Sequence, residues 1–365
     1  MIKKNPNSLR IALAQINPHL GDFAGNADKI IKWSHLASDS GADLVVFPES
    51  CLFGYHPMDL LERKEVVESQ IQVFSSLLKR LPKDLLVVVG AFSKNTKKFG
   101  KPYYNSAFAI ANGKIVHSAH KQLLPTYDVF DDARHIEPGD MKNNLFVWKK
   151  TKILLTICED IWAWPQNRKS YYETNPILNF KKNDADLVLN LSASPFYIGK
   201  VKLRQDVVAK TARHLDAPMV YVNMVGGQDE LIFDGGSFVV DKSGKIVNQC
   251  DQFQEELSIC DIENIKTKAK VVRMPLVDSH REAFVPPLLA LAKSDEENFY
   301  RALVFGLREF LKKSGQQKIH LGLSGGIDSG VVAAIAVDAV GPENVTAIYM
   351  PSRYSSGLSK QLCMQ

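Results

Sequence analysis

Between about residue 10 and residue 260, short apolar runs rich in β-favouring residues alternate with stretches whose apolar positions recur at helical spacing. The runs at 11–14, 44–47, 86–91, 106–110, 153–157, 187–191, 219–223, 237–240 and 257–259 predict strands. Amphipathic stretches near 24–39, 65–80, 169–182 and 200–215 predict helices. Strand 106–110, the dipeptide Asn112-Gly113 and strand 114–116 predict a hairpin on a type I′ turn, because both central residues of that turn need positive φ. The run 237–240, Ser243-Gly244 and 245–247 repeat the pattern. Hairpins mixed with βα units predict a mixed sheet, or two sheets face to face with helices outside, rather than a purely parallel sheet.

From 262 to 294 the periodicity fades and Pro275, Pro286 and Pro287 interrupt the chain, which predicts a linker. Beyond it Phe299, Leu303, Leu307, Phe310 and Leu311 predict a helix stopped at Gly315, followed by a buried strand at 319–323, a glycine-rich turn, a helix through Val332, Ala333 and Ile335, and a strand at 345–349. The expected division is therefore a domain at 1–262, a linker at 263–294 and a domain fragment at 295–365. One βαβ unit is too little to close a doubly wound domain, so this last part is expected to be the truncated beginning of one.

Composition narrows the function classes. A chain of 365 residues with 45% hydrophobic and 23% charged residues has enough apolar material for two folded domains and excludes a disordered or fibrous protein. The net charge of +5 is mild, and pairs such as Lys97-Lys98 and Lys181-Lys182 are dispersed, so no nucleic-acid partner is expected. Five cysteines without C-x-x-C spacing predict neither a disulfide framework nor a zinc site and suit a reducing cytoplasm. No signal-like N-terminus or membrane-length apolar stretch is present.

The candidate chemistry sits at strand ends. Cys158 follows the run 153–157, Glu49 follows 44–47, and Lys121 follows the first hairpin. A lone cysteine in such a place is usually a packing residue, and a lone lysine is usually solvated. Together they make a nucleophile, a base and a cation, which is what a thiol with an ordinary pKa near 8.5 needs before it attacks a carbonyl. The strings VFPE at 46–49, HKQLLPTYDVF at 120–130 and ICEDIW at 157–162 resemble the three motifs of the nitrilase superfamily. With LSASPF at 191–196, Gly199-Lys200 and YVNMVGGQDELIFD at 221–234, they resemble more narrowly the glutaminase domains of glutamine-dependent NAD synthetases. The resemblance implies an αββα sandwich with Glu49 as general base, Cys158 as nucleophile, Lys121 as stabiliser of the tetrahedral intermediate and the Glu159 N–H in an oxyanion hole. It further implies that Tyr127, Ser194 and Lys200 contact L-glutamine, and that the enzyme is a homo-oligomer. The family usually carries glutamate where Asp132 stands, so a shortened reach toward Lys121 and reduced activity are expected, with Asp132→Glu restoring turnover.

Gly322-Leu323-Ser324-Gly325-Gly326-Ile327-Asp328-Ser329 runs from a strand through paired glycines into a helix, a place where free N–H groups and a positive dipole end meet phosphates. It lacks the lysine of a Walker A loop. The S-G-G-x-D-S string resembles the pyrophosphate loop of ATP pyrophosphatases, and Met350 to Ser356 points to the NAD synthetases among them. That resemblance implies that these eight residues bind ATP, that Asp328 helps hold Mg²⁺, and that nicotinate adenine dinucleotide is the amidated substrate, on a Rossmann-like domain. The tail from Gly357 to Gln365 departs from the helix the family would place there. Two other readings stay open: an amidase for another small amide, and a non-catalytic remnant.

Overall fold

The structure is a computed structural model, which describes residues 8–165, 170–263, 266–267 and 294–364. The chain divides into two compact units, Met1–Val225 with Phe233–Val277, and Gly226–Ile232 with Asp278–Gln365.

The first unit holds two sheets. One contains β1 (Ser8–Gln15), β2 (Leu44–Val46), β3 (Leu86–Lys94), β4 (Tyr103–Ala111), β5 (Lys114–His120), β14 (Glu256–Glu263) and β15 (Lys266–Thr267), in the order β15-β14-β1-β2-β3-β4-β5. The other contains β6 (Leu145–Trp148), β7 (Thr151–Ile157), β8 (Leu187–Ser192), β9 (Met219–Asn223), β12 (Phe238–Val240) and β13 (Ile246–Gln249), in the order β13-β12-β9-β8-β7-β6. Strands β1, β2 and β3 are mutually parallel, as are β7, β8 and β9, and the outer pairs are antiparallel. Strands β10 (Val225–Gln228) and β11 (Leu231–Asp234), most of whose residues belong to the second unit, form a two-stranded sheet of their own.

Side-chain alternation with period two explains the layering. Ile11, Leu13, Val46, Leu86 and Val88 from the first sheet meet Ile153, Leu155, Leu189, Val220 and Val222 from the second in one buried cluster. Their neighbours Ala12, Ala14, Val45, Val87 and Val89 face outward onto α1 (Phe23–Asp39) and α2 (Lys64–Arg80), through Ile30, Phe74 and Leu77. On the far side Leu154, Val188, Met219 and Tyr221 pack on Val207, Val208 and Leu215 of α4 (Lys200–Leu215). Both faces of both sheets are covered, which is the αββα sandwich, and it accounts for strands that read as continuous apolar runs. Each fully buried aliphatic side chain contributes ~1.5–3 kcal/mol.

The type I′ hairpin forms as expected, with Asn112 at φ 53° and Gly113 at φ 70°. The second hairpin uses a longer turn than expected. Asp241 Oδ1 accepts from the N–H groups of Ser243 and Lys245, and of the Ser243-Gly244 pair Gly244 alone takes positive φ. The helix expected at 169–182 is replaced, over its described residues, by irregular chain and a 3₁₀ turn at Pro176–Asn179. Asn175 caps the Ile177 N–H there, and Pro176 at the first position of the turn can begin a helix but cannot continue one. The expected linker lies almost wholly outside the described residues.

In the second unit α5 (Asp295–Lys313), β16 (Ile319–Gly322), α6 (Ile327–Val340), β17 (Val345–Ile348) and α7 (Gly357–Met364) form a parallel βαβ unit with a helix on either side in sequence. Strand β16 is half-exposed rather than buried, because a two-stranded sheet covers little. The tail is helical after all, as α7.

Candidate active site

Glu49, Lys121 and Cys158 come from different strands and meet at strand ends, where loops of an α/β sheet converge. Glu49 sits just past β2 on a sharp turn, with Ser50 at φ 52°. Gly90 on β3 makes that turn possible, since a Cβ there would fall on the backbone of Pro48, Glu49 and Ser50. Lys121 is the residue after β5, and its N–H donates to Asn105 O (2.9 Å) on β4. Cys158 opens the 3₁₀ turn Cys158–Ile161 at φ 43°, a left-handed backbone that costs a non-glycine residue strain and is held by what surrounds it. Asp160 does much of the holding: its Oδ2 accepts from the Ile157 N–H (2.9 Å), and its Oδ1 from those of Gln122 (2.8 Å) and Leu123 (3.0 Å).

The Lys121 ammonium donates to Glu49 Oε1 and to Asp132 Oδ2, both at 2.8 Å and fully buried. Glu49 Oε1 also accepts from Asn105 Nδ2 (2.7 Å), and Oε2 from the Ala193 N–H (2.9 Å) just past β8. Glu49 thus spans both sheets. Burial alone would lower the Lys121 pKa, but Asp132 and Glu49 outweigh it and hold the ammonium charged well above its usual range. Burial pushes the Cys158 thiol well up, Glu49 pushes it further, and Lys121 opposes both. A thiol so shifted favours its neutral form, and it could attack a carbonyl only by giving up its proton as it did so. The expected shortfall at Asp132 is not found: Asp132 begins α3 (Asp132–His135), and its carboxylate already reaches Lys121.

The other expected residues surround Cys158. Glu159 is buried, its Oε1 accepting from Tyr127 Oη (2.9 Å) and its Oε2 from Tyr172 Oη (2.6 Å). Tyr127 therefore addresses Glu159, and Tyr171 stacks on it with ring centroids 5.0 Å apart. The Ser194 N–H donates to Asn223 Oδ1, and its Oγ accepts from Arg204 Nε (3.2 Å). Lys200 Nζ lies over the rings of Trp162 (4.0 Å) and Tyr197 (4.6 Å). Burial, with Arg204 adding to it, brings Lys200 down to about 8. Arg204 itself, one helical turn from Lys200, is ion-paired to Asp234 (2.7 Å), which also accepts from Gln252.

The sequence reading missed Asn105, Tyr172, Asp160 and Arg204 as working parts. Asp160 lay inside a quoted motif, and Arg204 could have been found four residues after Lys200 on one helix face. Tyr172 was hidden in the stretch misread as a helix.

In the second unit the Ser324 Oγ lies 3.0 Å from Ser329 Oγ and accepts from the Gly326 N–H, while Ser329 Oγ donates to Gly326 O. Gly325 at φ 79° leaves no room for a Cβ, which would meet Ser359 O of α7 at 2.6 Å. Ile327 and Asp328 stand exposed at the first turn of α6. This is a small loop of hydroxyls and N–H groups ahead of a helix, which fits phosphate oxygens. Among the described residues no group of three metal-binding side chains occurs. Asp328 fits Mg²⁺ as a single carboxylate ligand, the way that ion is held when phosphates supply the rest.

The chain belongs to the carbon-nitrogen hydrolase family, whose model matches residues 10–269. A second family model, NAD synthase, matches residues 299–365, including α7. Among curated relatives, the glutamine-dependent NAD(+) synthetase of Synechocystis is 41% identical over 96% of this chain and 61% of its own length. That of Thermotoga maritima is 39% identical over 95% and 61%. The structure of the glutamine-dependent NAD+ synthetase from Acinetobacter baumannii in complex with adenosine diphosphate superposes with a TM-score of 0.83 at 35% identity, over 97% of this chain and 61% of that one. The chain spans about three fifths of the length of the curated relatives it matches. A Nesterenkonia amidase of the nitrilase superfamily shares the fold, at a TM-score of 0.59 and 20% identity over 72% of this chain and 94% of that one. Among the described residues no helix is long and apolar enough to cross a membrane.

Proposed function

We propose that the first unit is the glutaminase of a glutamine-dependent NAD(+) synthetase. The observation that carries it is a buried Cys158 within electrostatic reach of a buried Glu49 carboxylate that is bridged to Lys121, in a chain whose relatives bear that name. Glu49 takes the Cys158 proton as the sulfur adds to the side-chain amide carbon of L-glutamine. Lys121 and the Glu159 N–H stabilise the oxyanion, and the proton passes from Glu49 to the departing nitrogen, so that ammonia leaves and a thioester remains. Glu49 then deprotonates a water that attacks the thioester, and glutamate departs as the thiol regains its proton. Lys200 and Ser194 hold the amino-acid end of glutamine; buried Glu159 and Lys200 offer charges of both signs to a zwitterion.

In the second unit, Gly322 to Ser329 would cradle ATP phosphates, with Asp328 a ligand for Mg²⁺. ATP supplies activation of the nicotinate carboxylate of nicotinate adenine dinucleotide, which ammonia then converts to NAD. The free cysteines support a cytoplasmic setting.

The test is hydrolysis of glutamine against other small amides, with Cys158→Ala as control. Preference for glutamine that vanishes in the control is expected. Equal turnover of short aliphatic amides would favour a general amidase.

A further inference from the structure

The cluster around Lys121 is not electrically balanced. Glu49 and Asp132 flank one ammonium at 2.8 Å each, and none of the three side chains is more than 1% exposed. With all three ionised the cluster carries one net negative charge on buried side chains, which is costly unless another cation faces it. Arg204 is committed to Asp234, and Lys200 faces Glu159. Among the described residues, His56 is a further basic group beside the cluster: its Nε2 lies 3.8 Å from Asp132 Oδ1, the oxygen that Lys121 does not use and that also accepts from Tyr55 Oη at 3.5 Å. The residue is 8% exposed, its ring set against those of Phe130 (5.5 Å) and Tyr55 (5.1 Å). It also borders a cavity of ≈ 280 Å³, lined in addition by Asp59, Glu62, Asp131, Asp132 and His135.

We infer that His56 is a positioning residue, protonated in the working enzyme, whose imidazolium balances the Glu49–Lys121–Asp132 cluster and fixes Asp132 so that Lys121 stays aimed at the reacting carbonyl. The inference rests on the proposed amide hydrolysis at Cys158, but the charge of His56 is measurable without it.

Among the described residues, the titratable groups around His56 are Asp59 and Glu62 of the 3₁₀ turn Met58–Glu62, Asp131 before α3, Asp132, Arg134 and His135 on α3, and Tyr55, with Lys121 beyond Asp132. Carboxylates as a class ionise near pH 4 and guanidinium stays charged throughout, so histidines are the groups that change charge between pH 5 and 8. Tyr55 is pushed well up by burial and by Asp132, and Lys121 is also held well up, so neither titrates there. His120, next to Lys121, is pushed down to about 4 by burial and stays neutral. His135 has its own partner in Glu62 (3.7 Å). Activity should therefore fall as pH rises through the loss of the His56 proton.

The experiment uses the full chain labelled with ¹⁵N and ¹³C histidine. The ring-nitrogen shifts of His56 should show imidazolium at pH 7, changing to the neutral pattern in Asp132→Asn. In parallel, His56→Gln should lower kcat for glutamine ten- to hundredfold with KM within about twofold, and remove the fall in activity across neutral pH. His135→Gln should keep that fall. A neutral His56 in the wild-type chain, or a His56→Gln profile that superposes on the wild type, overturns the inference. If wild-type chain hydrolyses no glutamine, the proposed function fails, and the ring shifts still decide the charge of His56.

Discussion

The two candidate sites of this chain follow opposite designs. Around Cys158 the working groups are buried, and each is held by residues from several strands: Glu49 by Lys121, Asn105 and Ala193, and Lys121 by Glu49 and Asp132. In the Ser324 loop the side chains are exposed or half-exposed, and the hydroxyls bond to their own loop. The difference follows the chemistry each proposed reaction asks for. A thiol attacking an amide needs fixed charges in a dry site, where electrostatics are strong and reorganisation is small. A phosphate-binding loop needs open N–H groups and hydroxyls that can exchange partners when an anion arrives.

The contrast breaks most sharply at Lys121. Lys121→Met leaves two buried carboxylates without their shared cation, so stability should fall by ~3–5 kcal/mol in urea unfolding, with glutamine hydrolysis reduced by ~10³-fold or more. A loss below about 1 kcal/mol would show that the cluster relaxes like a surface pair.

Lys200 gives a pH test. Its charge is needed at the proposed glutamine site and is lost as pH rises through about 8, so KM should climb above pH 8 and the climb should be absent in Lys200→Met. The stability sign is the reverse. The buried ammonium binds its proton less tightly than in the unfolded chain, so unfolding free energy should rise between pH 8 and the ordinary lysine range.

Tyr172→Phe removes one of the two donors to Glu159 and should cost about 1 kcal/mol, read as a several-fold rise in KM for glutamine. Asp132→Glu should give no gain in turnover, because the existing carboxylate already closes on Lys121. An increase would mean that the observed reach is not the catalytic one. The smallest effect belongs to the other site: Ser324→Ala should leave glutamine hydrolysis and the stability of the first unit within ±0.5 kcal/mol.

What the sequence disclosed follows the same division between local and long-range information. The strands of the two sheets were legible because burial on both faces writes continuous apolar runs, as at 86–91 and 187–191. Asn112-Gly113 was legible because its turn type demands those residues. Glu49, Lys121 and Cys158 were legible through their motifs, but the groups that hold them were not. Asn105 reaches Glu49 across 56 positions and Ala193 reaches it across 144, distances that no local pattern encodes. The segment after Pro165 failed differently: the stretch near 169–182 read as a helix, but Tyr171 stacks on Tyr127 and Tyr172 bonds to Glu159. His56 carries no pattern at all, and its meaning comes from the carboxylate beside it.

Of the five cysteines, Cys158 is the one whose surroundings would equip it to attack an amide. Cys51 is equally buried and pushed up to about 12 by that burial, but its partner is the Gly90 carbonyl rather than a base. The direct measurement is mass spectrometry of the chain after exposure to an electrophile built on the glutamine skeleton. A single adduct on Cys158, blocked by excess glutamine and absent in Glu49→Gln, is predicted; an adduct on Cys51 or Cys250, or one on Cys158 that forms as fast without Glu49, would contradict the account.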